Sequence, residues 1–166
     1  MNTITLNVEP YLAAWLTRHF GNPIELLKDG PEAKLLKRLL DKQPDNITPE
    51  TGNISVSLQY FKDKDPRVYS YLCESGKYAL IESFEAMFVN NMWSEIGNLE
   101  NLNCRLTSVI RGWSEKHGII QPTNHITEMN LLKQVEEQNA RNFETVRQKY
   151  YRLRKKYYRH AGVKLS

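Results

Sequence analysis

The chain has 166 residues, 40% apolar and 25% charged, which suits one folded domain or two small ones sharing a core and excludes a wholly disordered chain. No stretch approaches the ~20 consecutive apolar residues of a membrane span. The opening MNTITLNVEP has neither the basic start nor the apolar run of a secretory signal, so a soluble cytoplasmic protein with no membrane contact is expected.

TITLNVE alternates. Ile4, Leu6 and Val8 share one face and Thr3, Thr5 and Asn7 the other, the pattern of a strand with one buried side. Pro10 suits a first helical turn, and YLAAWLTRHF follows with Leu12, Trp15, Leu16 and His19 or Phe20 at helical spacing. Gly21 and Pro23 stop it. Pro31 opens PEAKLLKRLLDK, where Leu35, Leu36, Leu39 and Leu40 make an apolar stripe. QPDNITPETGN reads as a loop and an internal boundary. ISVSLQYF is a second strand, with Ile54, Val56, Leu58 and Tyr60 facing one way.

Pro66 opens PRVYSYLCE, read as a short helix with Val68, Tyr69 and Leu72 inward, and Gly76 interrupts it. KYALIESFEAMFVNNMW is a strong helix with Leu80, Ile81, Phe84, Met87 and Phe88 inward. From Ser94 the helical spacing runs on through Ile96, Leu99, Leu102, Leu106, Val109, Ile110 and Trp113 until Gly118 and Pro122 end it. No Gly or Pro lies between Ile126 and His160.

These elements predict an α+β, mostly α fold. A two-stranded antiparallel ribbon backed by four helices fills residues 1–92, and a helical part, 93–166, ends in a basic helix. Segments 3–40 and 54–92 echo each other as strand, helix, break, helix, a weak internal repeat.

The charge is unevenly placed. The formal net charge is +4, yet residues 141–166 hold nine Lys or Arg against one acid, Glu144, while the rest of the chain holds 14 basic and 18 acidic residues. Such a split bears on partners: one end of the chain prefers anions.

Catalytic chemistry is not expected. His19, His117, His125 and His160 are scattered and form no HExxH or Cys/His zinc spacing; phosphate-binding glycine loops and GxSxG are missing. Cys73 and Cys104 read as buried, unpaired thiols, His117 as a partner of a helix C-terminus, and Glu136 and Glu137 as part of a solvated helix. The chain is therefore read as a non-enzyme without metal or cofactor.

Two readings compete for residues 126–160. In one, a single long helix carries a heptad seam of Met129, Leu132, Glu136, Asn139, Phe143, Val146, Tyr150, Leu153 and Tyr157, apolar in its second half. In the other, the helix breaks at NARN and Asn142 caps a new one. QVEEQNARNFETVRQKYYRLRKKY, residues 134–157, resembles the helix-turn-helix of response regulators and sigma factors, with Thr145-Val146 opening the recognition helix. It differs in carrying Glu136 where that family favours a small residue and Ala140 where it favours glycine. The resemblance implies Asn142, Glu144, Thr145, Gln148 and Lys149 toward base edges and Arg147, Arg152 and Lys156 on phosphates. Under either reading Arg154, Lys155 and Arg159 add to the basic helix, and Lys and Arg on a helix bind duplex DNA by displacing condensed counterions. Tyr150 and Tyr157 fall on the seam and are assigned to the core. Tyr151 and Tyr158 are left exposed, able to stack on unpaired bases.

ITLNVEPYLAAWLTRHF, with ISVSLQYF as an in-chain partner, resembles the ribbon-helix-helix DNA-binding family. That resemblance implies Thr3, Thr5, Asn7, Ser55, Ser57 and Gln59 facing bases. With no Lys or Arg in either strand, the plainer reading is the outer face of a small sheet. The expected function is a DNA-binding regulator or accessory factor, of the transcription-regulating kind, with duplex DNA as partner and a dimer or other homo-oligomer as its form. A protein–protein module pairing along the seam and a single-strand or RNA binder are the alternatives.

Overall fold

The alternating TITL forms strand β1 (Thr3–Leu6), with Ile4 and Leu6 buried and Thr3 exposed. The computed structural model describes residues 2–100 and 104–160, for the last two the backbone alone. The chain divides into two compact units, Met1–Met87 and Phe88–Ser166.

In the first unit, β1 pairs antiparallel with β3 (Ile54–Ser57), Thr3 opposite Ser57 and Leu6 opposite Ile54, so the expected ribbon is present. Its two alternating sequences give Ile4, Leu6, Ile54 and Val56 to one buried face. The other edge of β3 is covered: Ile24 N–H donates to Ser55 O (2.7 Å) and Ser57 N–H to Ile24 O (2.9 Å). Asn53 extends the ladder beyond Leu6, its side chain donating to Val8 O (2.7 Å) and accepting from Val8 N–H (2.9 Å). Gly52 makes this approach feasible, because a Cβ there would lie 2.3 Å from Leu6 O.

Helices α1 (Pro10–Phe20) and α2 (Pro31–Leu39) each begin on the expected proline. Gly21 ends α1 at φ 84°, donating its N–H to Thr17 O, a conformation glycine adopts without steric cost. Lys64 closes α2 with its ammonium, donating to Lys37 O and Leu40 O at 2.7 Å each, which satisfies carbonyls left open at the helix end. Of the expected stripe of this segment, Leu36 and Leu40 are buried, together with Ala33, while Leu35 and Leu39 are half-buried.

The second half of this unit departs from the expected echo. Residues 69–71 form a strand, β4 (Tyr69–Tyr71), paired antiparallel with β2 (Asp41–Lys42), where a helix was expected. Val and Tyr favour a pleated surface, and in RVYSYL that preference prevails. Tyr60 faces solvent because β3 ends at Ser57, and Phe61 takes the buried position in its place. Gly76 does not interrupt a helix; it lies in the first turn of α3 (Glu74–Leu99), buried beside Leu72 and Cys73. Strand, strand, helix thus stands where strand, helix, break, helix was expected.

The second unit takes up α3 at Phe88, and Phe88, Met92 and Ile96 are buried at every fourth residue. The helix stops at Leu99 and α4 (Leu106–Lys116) starts after Arg105, whose ψ of 130° is extended, so the helical spacing from Ser94 to Trp113 belongs to two helices. Leu102, expected in that stripe, lies outside the described residues. Cys73, just ahead of α3, and Cys104, just ahead of α4, are both free and exposed, which corrects their expected burial. Helix α5 (Met129–His160) completes the unit. The fold is α+β and mostly α: two small antiparallel strand pairs and five helices among the described residues, the long basic one last. None of these helices is long and apolar enough to cross a membrane.

Candidate nucleic-acid interface

Helix α5 is one uninterrupted helix of 32 residues, so the turn at NARN does not form. A run without Gly or Pro from Ile126 to His160 leaves nothing to break it. Glu128 satisfies its first turn, accepting the N–H groups of Asn130 (2.9 Å) and Leu131 (2.6 Å). The two asparagines that suggested a turn serve as clamps. Asn139 donates to Gln121 O and accepts from Gln121 N–H, both at 2.9 Å, and the buried Asn142 donates to Ile119 O (3.0 Å). They hold the segment after α4 against α5, as an edge strand would be held.

The seam half from Phe143 to Leu153 packs inward, with Val146 and Tyr150 fully buried. Tyr150 donates its hydroxyl to Glu100 (2.7 Å), and its ring lies 5.3 Å from that of Trp93. Burial and then the Glu100 carboxylate push its pKa well above the ordinary tyrosine value. Tyr157, assigned to the core from its seam position, is 56% exposed and meets the Trp93 ring at 5.4 Å. Elsewhere in the unit Glu95 ties α3 to α4: its carboxylate accepts from Trp113 Nε1 and His117 Nε2 at 2.8 Å and from Asn91 at 3.1 Å. Burial opposes its ionisation, yet these donors prevail and hold its pKa below the usual carboxylate range. His117 is buried at the end of α4, turned toward this carboxylate.

The cations of α5 separate into two flanks. On the first, Arg147 pairs with Glu144 (2.5 Å) and lies over the Tyr151 ring (5.7 Å). One heptad on, Arg154 pairs with Glu100 and lies over the Tyr158 ring (5.2 Å). Glu100 raises the Arg154 pKa further, and Arg147 lowers that of Glu144. Both tyrosines left free for bases by the sequence are therefore partners of arginines.

On the second flank Arg141, Arg152, Lys155 and Lys156 are exposed and have no carboxylate partner among the described residues. At 3.6 residues per turn they share a sector of about 100° and extend along about 22 Å of helix, with Arg147 and Arg154 outside that sector. Thr145 lies on this flank half-buried, its hydroxyl donating to Arg141 O, and Gln148 donates to Glu144 (3.1 Å). Lys149 is half-buried at the flank's edge. The Arg159 side chain lies outside the described residues.

Of the residues set toward base edges from sequence, Asn142 is thus turned inward and Glu144 is occupied by Arg147. Among the polar residues of the ribbon, Ser57 is buried and Gln59 donates to Leu26 O, leaving Thr3 and Asn7 exposed. Among the described residues no group of three His, Cys, Asp or Glu side chains is placed to hold a metal ion. No family model, curated protein or solved structure matches this chain.

Proposed function

We propose that this protein binds nucleic acid, duplex DNA first, through the open flank of α5, and acts as a regulator or accessory factor rather than as an enzyme. The observation that carries this reading is the sorting of charge on one helix. Arg147 and Arg154 are matched by Glu144 and Glu100, whereas Arg141, Arg152, Lys155 and Lys156 present four cations in one sector with no carboxylate partner among the described residues. Such a row attracts a polyphosphate because each contact releases condensed counterions. The flank has few groups suited to reading base edges, so contact with phosphates predominates and sequence preference is weak.

Pairing of two copies along the heptad seam is less well supported. Its strongest apolar residues, Val146 and Tyr150, are already buried within the chain.

The test is a polarisation titration of a generic labelled duplex with the wild-type chain and with Arg141→Ala/Arg152→Ala/Lys155→Ala/Lys156→Ala. The proposal expects binding by the wild type and a loss of about a hundredfold or more in the variant at low salt, with its melting temperature unchanged. Equal binding by the two proteins would refute it.

A further inference from the structure

Beside the open flank lies a cleft of about 320 Å³, lined by Val89, Asn90, Trp93, Leu153, Lys156 and Tyr157. Its walls are apolar and aromatic, and the Trp93 and Tyr157 rings meet at 5.4 Å with 56° between their planes. Tyr157 is among the more exposed large side chains of the described residues, its ring also meeting that of Tyr158 edge-on at 5.5 Å. Of the three tryptophans Trp93 alone is not buried, since Trp15 and Trp113 are 2% and 3% exposed. The one charged residue in the lining, Lys156, is also a member of the unmatched row. Arg152 stands one helical turn before it on the same side.

An aromatic slot with an ammonium at its lip matches a nucleotide: a flat ring that stacks and a phosphate a few ångströms away. We propose that this cleft takes one unpaired nucleobase, stacked on Tyr157 and Trp93, with the adjoining phosphate on Lys156 and Arg152. This inference rests on the nucleic-acid reading above and narrows its ligand to a duplex that continues into a single strand. The row of cations lies along the paired part, and the cleft receives the first base beyond it. Bases of every kind have a π-face, so the slot favours single-strandedness over sequence.

The experiment compares three probes on the full chain: a blunt duplex, the same duplex with a short thymidine overhang, and that duplex with a uridine overhang. Each is titrated by polarisation and by tryptophan fluorescence. Wild type is expected to bind the overhang probes about tenfold or more tighter than the blunt one, the range of one stacked base. Emission falls on binding because Trp93 is the unburied indole, and Trp93→Phe removes that quenching. Tyr157→Ala abolishes the overhang advantage and leaves blunt-duplex affinity unchanged, while Tyr157→Phe keeps the advantage. The two overhangs distinguish a DNA from an RNA strand as the source of the base, and either preference supports the slot.

Equal affinity of wild type for blunt and overhang probes overturns the slot and leaves the duplex reading standing. Absence of binding to all three overturns both. An altered molar mass of Tyr157→Ala in light scattering, with the overhang advantage intact, makes the cleft a face for a second copy and also overturns the slot.

Discussion

Two flanks of one helix, built from the same residue types, have opposite fates. Arg147 and Arg154 are held by carboxylates and lie over tyrosine rings, so their charge is used inside the chain. Arg141, Arg152, Lys155 and Lys156 have no such partner among the described residues, so their charge is directed at whatever approaches. The lesson is that a count of basic residues overstates an anion-binding surface. What matters is the part of the charge that the fold does not match. A solvated helix mixes signs at i,i+4, whereas from Thr145 to His160 this one has no acid at all and borrows Glu100 from outside the helix.

The comparison is sharpest where the two sides of the helix are perturbed separately. The largest effect belongs to the inward side. Tyr150→Ala empties a fully buried site and removes the partner of Glu100, so unfolding in denaturant should show a loss of about 3–5 kcal/mol, as for other buried aromatics. Next comes Arg154→Ala on the matched flank. It leaves Glu100, a side chain only 16% accessible, with the Tyr150 hydroxyl alone, and costs about 1–2 kcal/mol of stability with duplex affinity retained. If Arg154→Ala weakened binding as much as Arg152→Ala, the division into flanks would be wrong.

Arg147→Ala should do less. Its pair with Glu144 is exposed and lies within the helix, so the melting curve should not move and the released Glu144 should lower duplex affinity only slightly. The smallest effect concerns pH. The folded-state pKa of Glu95 lies below its unfolded value, so its contribution to stability is present above the unfolded value, about 4.3, and is lost as pH falls through the folded one. Thermal melts should show the wild type losing stability over that acid window and Glu95→Gln losing less, with the neutral-pH duplex affinity of both alike.

Much of the fold was legible in the sequence because its signals are local. Alternation in TITL and ISVS, prolines at 10 and 31 and the glycine at 21 each act within a few residues, and the antiparallel pairing of the two strands followed from their shared need for a partner. Local signals also misled. Tyr69–Tyr71 is short enough that helical and extended spacing cannot be told apart, and pairing with Asp41–Lys42 decides it. Asn139 and Asn142 suggested a turn because asparagine is common there; their actual partners, Gln121 and Ile119, lie 18 and 23 residues away.

The candidate site followed the same division. That residues 141–160 are basic was plain. Which cations are spent was only half legible: Glu144 with Arg147 is an i,i+3 pair, but Glu100 meets Arg154 across 54 residues. Tyr157 continued the seam in sequence yet is exposed, because the Trp93 and Tyr158 rings beside it leave more than half of it open. No periodicity could have brought Trp93 to that place, since the contact depends on the packing of α5 beside α3.

The most direct measurement of the central claim is the salt dependence of duplex binding for two single variants, one from each flank. Four unmatched cations give a slope of log K against log salt of about −3.6, near −0.9 for each phosphate contact. Arg152→Ala should make that slope shallower by about 0.9, and Arg154→Ala should leave it unchanged. Equal slopes for the two variants, or a wild-type slope near zero, would contradict the account.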